Sequence, residues 1–547
     1  MDRITRICSF ALALALSAGA PAAAKKEEAS PETDLFWAAQ RAELLGQSEV
    51  ALKNYNRLLV KAPESAVAVD RLFELAVANG DFASALKAAR AQQLSNGGDA
   101  ALPLIFLVDA WKRRDWEGAK QSVTWLKERE MFAFLTPIFD AWIDVAQGKQ
   151  GTISSLALRD SGLLYFYTYD QMIYLDLANG KVDAAQRRLS SFPNFSDEYA
   201  RHMAMTAAEH FGRTGNADYA NSLLAYLGVE PVDFVSQPGP FSSEQAVAAL
   251  FARLSNQLQQ QNVPDQSLYF ARLANWLSPD SVFARMTLAD RLANGRPTAG
   301  ASGLLDSVTP QRPQWSWVVG EKAQRFNDAG QHAQALGILK QAQTVRPESQ
   351  NLKLLMARQQ ELYHQTADAI PLYKELITAA DAAASKNARR VVYRLYLAQV
   401  LDKQGNWSEA KATLEEALLL NSDNPDVLNM LGYSLLERRE DVARGLELVT
   451  KAHRLAPQSA AITDSLGWGH YLNGDFEKAI ALLEQAVEGA LNDATINEHL
   501  GDAYWQAGRA IDARYAWRSA LLQADGDIAT RIAAKIDLGW TEATAAP

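Results

Sequence analysis

Residues 464–486 read DSLGWGHYLNGDFEKAIALLEQA and residues 498–520 read EHLGDAYWQAGRAIDARYAWRSA. Overlaid at an offset of 34, Leu466-Gly467 falls on Leu500-Gly501, Gly474 on Gly508, Ala479 on Ala513 and Ala486 on Ala520. Going backward, Leu431-Gly432 stands 35 residues before Leu466-Gly467, with one extra residue near Glu440-Asp441. Leu397-Ala398 stands 34 before that, followed by Gly405, Ala410 and Ala417. The frame persists upstream with weaker residues: Ala323, Gly330, Ala335 and Pro347 form one unit, Ala289, Ala301 and Pro313 another, and Ser255, Ser267, Ala274 and Pro279 a third. Near the N-terminus Ala39, Gly46, Ala51 and Pro63 keep the same spacing, as do Ala208, Gly215 and Ala220, whereas residues 134–192 are degenerate.

A repeat of this length holds two antiparallel helices and their turns. The small residue at Gly432, Gly467 and Gly501 marks where the first helix, A, closes on the second, B; Ala410, Ala479 and Ala513 face it. Contact that close leaves no room beyond a methyl, and overpacking it costs about 1–3 kcal/mol. Gly405, Gly474 and Gly508 end helix A where a left-handed backbone suits glycine. Asn406 and Asp475 stand where helix B opens, and Pro63, Pro279, Pro313, Pro347 and Pro457 where it stops.

The period and its pattern of Leu-Gly/Ala, turn glycine, helix-B alanine and closing proline resemble the tetratricopeptide-repeat (TPR) family. The resemblance is strongest over residues 255–524. It implies an all-α fold, a TPR-type right-handed superhelical solenoid of antiparallel helix pairs in two segments, with a concave groove lined by helix A. On this reading residues 34–230 are degenerate TPR-like helical repeats and 244–525 a regular array. Residues 231–243, with Pro231, Pro238, Gly239 and Pro240, are either a linker between segments or a long loop inside one superhelix. Residues 526–540 form a capping helix, in which Ile528, Ile532 and Ile536 recur every four positions with Arg531 and Lys535 between them. Residues 541–547 are a small-residue tail expected to be disordered.

Residues 1–24 have the order of a secretory signal peptide: Arg3 and Arg6, an apolar run from Ile7 to Leu16, then Ala22-Ala23-Ala24 before a polar linker at 25–33. The single cysteine, Cys8, lies at the start of that run and lacks the setting of a lipid-attachment site. Cleavage after Ala24 would leave a mature chain without cysteine, which excludes disulfides, thiolate metal sites and a cysteine nucleophile. The formal charge of −10 argues against nucleic acid and anionic membrane surfaces as partners. The expected location is the periplasm, with outer-membrane association only through a partner.

No phosphate-binding glycine loop, nucleophile elbow or zinc-protease motif is present. His202 and His210 are eight apart but lack a third ligand, and Glu498-His499 reads as a packed or surface pair. Glu64-Ser65 and Glu348-Ser349 are candidates for the acid of a cell-wall hydrolase, but each directly follows an inter-repeat proline, which places it in a turn without a desolvating pocket. No catalytic residue, cofactor or metal ligand is expected.

In the TPR family the groove-facing places of helix A correspond here to Asn429, Tyr433, Asp464, Trp468, Tyr471, Glu498, Asp502 and Trp505. Aromatic and acidic residues in that arrangement suit a protein or peptide segment with apolar and basic groups. The Lys/Asn/Arg clamp that some family members use for a C-terminal carboxylate is missing. The C-terminal half, with Asp464-Ser465-Leu466-Gly467-Trp468 and Ala513-Arg514-Tyr515-Ala516-Trp517, is similar to outer-membrane TPR adaptors of carboxyl-terminal processing proteases. The implied function is a periplasmic scaffold or adaptor in the cell envelope. Alternatives are an accessory subunit for cell-wall or polysaccharide synthesis or export, and a cell-wall hydrolase. Uncovered solenoid ends would allow self-association.

Overall fold

The computed structural model describes residues 30–94, 101–130, 132–153, 162–191, 198–227, 229–236, 239–293, 299–363, 365–382 and 389–546. The expected signal peptide at 1–24, Cys8 and most of the 25–33 linker lie outside them. Among the described residues every regular element is a helix. The chain parts into two compact units, one reaching Leu227 and taking in Pro231–Gln314, the other running from Trp315 onward and including Glu230.

The second unit is a stack of antiparallel helix pairs. Pro425–Glu437 pairs with Val442–Leu455, Ala460–Leu472 with Phe476–Gly489, and Ala494–Gln506 with Ala510–Leu521. Gly526–Leu538 closes the stack. Asn424, Ser459 and Asp493 cap the three A helices by accepting a backbone N–H of the first turn. Asn406 and Asp475 occupy the N-cap positions of their B helices, but neither side chain makes the capping bond; Asp475 pairs with Lys478 instead, at 2.6 Å.

The repeat glycines do what their spacing implies. A Cβ on Gly467 would lie 2.8 Å from Leu483 Cγ, and one on Gly501 would lie 2.3 Å from Trp517 Cδ1. Ala410, Ala479 and Ala513 are fully buried opposite them. At the turns Gly474 takes φ +82°, while the unit with the extra residue turns on Arg439 at φ +50°. A non-glycine residue tolerates that region at a modest cost.

The first unit folds back on itself. Its N-terminal pairs include Ala66–Asn79 with Phe82–Leu94 and Leu102–Lys112 with Trp116–Glu128. The later helix Pro264–Leu277 packs on Ala66–Asn79 and Leu102–Lys112, and Ser243–Gln260 packs on Thr136–Ala146 and Gly162–Ala178. Arg272 donates to the carbonyls of Val77 at 2.9 Å and Ala78 at 2.6 Å, a cation on the last turn of a helix 195 residues away in sequence. Trp276 Nε1 donates to Gly80 O at 3.2 Å. Buried Asp170 accepts from Arg253 Nη1 at 2.7 Å and from Tyr199.

The Pro/Gly stretch at 231–243 groups with the first unit, whose boundaries fall just before it, at Glu230 and Pro231, and again at Gln314 and Trp315. Phe241 is buried and stacks on Tyr174 with centroids 4.6 Å apart, Phe234 fills the space beside Gly212, and Val232 N–H donates to Asn221 Oδ1 at 3.0 Å. The segment spends its apolar side chains on the N-terminal repeats.

Two alanine substitutions test the helix-contact argument. Gly501→Ala sets a methyl against a fully buried indole and should cost about 1–3 kcal/mol. Gly337, exposed within His332–Val345 with nothing near its Cβ position, should become more stable as alanine by about 0.5–1 kcal/mol. Urea midpoints followed by far-ultraviolet circular dichroism should move in opposite directions.

Candidate functional site

The last three A helices bring the expected groove residues together, and most of them are buried. Trp468 lies between Tyr471 and His499, stacked on both with centroids 4.4 and 4.1 Å away. His499 Nδ1 is 2.9 Å from Asp464 Oδ1, and Tyr433 meets the His499 ring at a tilt. Asp464, Trp468, Tyr471, Glu498 and Asp502 are all buried; Asn429, Tyr433 and Trp505 are half-buried.

What covers the acidic residues is the chain's own C-terminal segment. Lys535, fully buried, places Nζ 2.7 Å from Glu498 Oε1 and 2.7 and 2.8 Å from the two Asp502 oxygens. Arg531 binds Glu498 with two parallel hydrogen bonds of 2.9 and 2.7 Å, a bidentate geometry. Trp517 Nε1 also donates to Asp502, at 2.9 Å. The expectation of open carboxylates awaiting a partner's cations does not match this arrangement, because Arg531 and Lys535 already neutralise them. The Glu498-His499 pair is likewise buried and partnered.

The capping helix Gly526–Leu538 packs chiefly through Ile532 and Ile536 against Trp517 and its neighbours, while Ile528 stays exposed. The expectation of a disordered tail also gives way over the described residues 541–546. Gly539 turns the chain at φ +84°, and a Cβ there would lie 2.4 Å from the Trp505 ring. Thr541 and Thr544 cap a short 3-10 turn. Ala546 is buried in the cluster of Trp468, Tyr471 and Ala503, and its N–H donates to Asp502 Oδ2 at 3.1 Å.

The electrostatics follow from burial and pairing. Burial pushes the Glu498 carboxyl up, but Arg531 and Lys535 outweigh it and hold it below the ordinary range. For Asp502 burial wins over Lys535, and its carboxyl is raised. Burial pulls the His499 imidazolium down, yet Asp464, Asp502 and Glu498 together raise it above its ordinary 6.5.

The tetratricopeptide-repeat family model matches residues 395–460 and 465–527. These residues are tetratricopeptide repeats. A TPR repeat-containing protein of Pseudomonas aeruginosa is 34% identical over 109 residues, covering 20% of this chain and 18% of that protein. A human protein O-mannosyl-transferase is 22% identical over 178 residues, covering 32% of this chain and 19% of that protein. The chain thus spans less than a fifth of the length of either relative. Among solved structures, the anaphase-promoting-complex hetero-tetramer Cut9–Hcn1 is similar at 14% identity and TM-score 0.38, covering 94% of this chain and 97% of that one. A tetratricopeptide-repeat protein from Parabacteroides merdae is similar at 15% identity and TM-score 0.33, covering 41% and 86%.

The TPR groove has a counterpart in the first unit. A cavity of about 830 Å³ is lined by Phe73, Phe132, Tyr269 and Phe270 together with Glu43, Asp70, Glu74 and Asp265. Arg71 pairs with Glu43 and Glu74. Sequence reasoning missed this site because its walls come from helices nearly 200 residues apart. Glu64 and Glu348 are exposed in inter-repeat turns, and Ser349 is an N-cap. Buried His202 and half-buried His210 both line a small polar cavity with Glu209, Arg213 and Arg312. No group of metal-ligating side chains occurs among the described residues.

Removing one partner of a buried ion pair costs about 3–5 kcal/mol, because the other charge stays buried. Lys535→Met should therefore destabilise the second unit more than the triple change Lys535→Met/Glu498→Gln/Asp502→Asn, as read by thermal melting. His499 adds a pH term. Its folded value is raised, so its contribution is complete below 6.5 and disappears as pH climbs through the folded value. The melting-temperature gap between the wild type and His499→Phe should shrink above that pH.

Proposed function

We propose that the chain is a scaffold of the bacterial cell envelope that binds segments of other proteins presenting apolar and basic groups together. The observation that carries this reading is the open cavity of the first unit. Its lining offers the half-buried rings of Phe73 and Phe132, backed by buried Tyr269 and Phe270, beside carboxylates, of which Asp70 and Asp265 have no lining cation against them. A cationic side chain gains from both, through the aromatic faces and through charge. Tetratricopeptide repeats support a protein-binding role, and a pocket of this size suits several side chains of a bound segment. Export through residues 1–24 is supported by their charge, apolar run and small residues. No helix among the described residues is long and apolar enough to cross a membrane. Recruitment of an envelope protease or an assembly complex is the role within this class that the C-terminal sequence resemblance favours.

Crosslinking in intact cells, followed by affinity purification from the envelope fraction, tests the reading. Glu74→Lys/Asp265→Lys reverses charge at exposed lining positions without touching the core. A defined partner present with the wild type and depleted with this variant is the expected result. No enriched protein in either sample would remove the scaffold reading. In the same preparation, the intact mass should lack residues 1–24; a full-length mass in the periplasmic fraction would refute cleavage there.

A further inference from the structure

The C-terminal groove already holds a peptide, and that peptide fits it incompletely. After Gly539 the chain turns back, and Ala546 enters the cluster of Trp468 and Tyr471 with one hydrogen bond, to Asp502, tying it to the groove. Between them, Thr541–Thr544 bond among themselves and stay largely exposed. In the groove Trp468 Nε1, whose ring packs in the cluster with Ala546, is buried without a hydrogen-bond partner, as is Nε2 of His499 stacked on it; within the occupant itself Trp540 Nε1 has none either. Trp468 and His499 are almost wholly buried. A buried polar group without a partner is costly, so a better ligand would be one that satisfies it.

The charge balance says what that ligand is. Glu498, Asp502 and Asp464 are matched by Arg531, Lys535 and, when protonated, His499. The cluster is then neutral and asks for no further cation. What remains unmatched is donor capacity: Trp468 Nε1 carries a hydrogen, and so does His499 Nε2 when Nδ1 faces Asp464 as part of an imidazolium.

We propose that residues 539–546 are a displaceable self-ligand, and that the C-terminal groove takes in their place an extended protein segment with a small apolar residue at the Ala546 position and a carboxylate beside it that accepts from Trp468 and His499. This deepens the protein-binding reading and rests on it. The groove's selectivity is thereby opposite in charge to that of the first unit's cavity, so one chain can hold an acidic segment at one unit and a basic one at the other.

Fluorescein-labelled peptides and anisotropy titration test this on the otherwise intact chain. One peptide copies residues 539–547; the second replaces the residue corresponding to Ala545 with Asp. Two receptors lacking the self-ligand are compared with the wild type: a chain ending at Leu538, and full-length Ala546→Arg, whose side chain cannot enter the cluster. Both should bind the copy peptide at least about tenfold more tightly than the wild type, whose tail competes at high local concentration. The Asp peptide should bind a further ~10-fold more tightly, and Trp468→Phe placed in either receptor should erase that gain while leaving copy-peptide binding intact. Equal binding by wild type and both receptors, no binding by either receptor with circular dichroism unchanged, or a preference that survives Trp468→Phe would overturn the proposal. These outcomes do not depend on Glu74 and Asp265, so loss of partner capture in cells and failure here can be told apart.

Discussion

Every helix pair in this chain has an apolar face that it cannot cover itself. Stability is a sum over neighbours, and the sum has to be closed at the ends. In the interior of the second unit the next pair closes it, through contacts as tight as Gly469 on Leu446, where an added Cβ would lie 2.9 Å from Leu446 Cδ1. At the C-terminal end the Gly526–Leu538 helix stands in for a missing pair, with Ile532 taking the place of a repeat residue against Trp517. The first unit closes itself differently, by laying Ser243–Gln260 and Pro264–Leu277 against its own earlier repeats. Both solutions follow from one demand, and both create the sites.

The repeat itself was legible because its determinants are local. A turn glycine, a helix-B alanine and a glycine at the helix contact act within one pair, so a fixed offset exposes them. The closure of the first unit was not legible, because Arg272 and the carbonyls of Val77 and Ala78 meet across most of that unit and neither residue type announces the other. The Pro/Gly content of 231–243 suggested a break, but Val232, Phe234 and Phe241 decided its packing.

The C-terminal groove shows a subtler case. Its residues were found, and several do cluster, but their neighbours were misjudged. Arg531 and Lys535 read as the solvent side of an amphipathic cap, when they are the counter-ions of Glu498 and Asp502. The signal was present: Glu498 and Asp502 are four apart on one helix, and Arg531 and Lys535 are four apart on another. Equal spacing puts each pair on one face of its helix, ready to meet the other. The tail was beyond reach, since an alanine docked by one hydrogen bond leaves no pattern.

The buried Lys535 also bears on how such a chain can change length over generations. Duplicating the pair Pro425–Leu455 would add a neighbour whose buried contacts are apolar, such as Leu428 on Ile462 and Val449 on Leu466, which a copy can supply. Duplicating the last pair would place Glu498 and Asp502 against a copied helix A that carries the same two acids and no lysine. Both acids would then stay in a desolvated interface without the cations that pair them. The array can thus lengthen at such a pair, while Glu498 and Asp502 need the Gly526–Leu538 helix beside them.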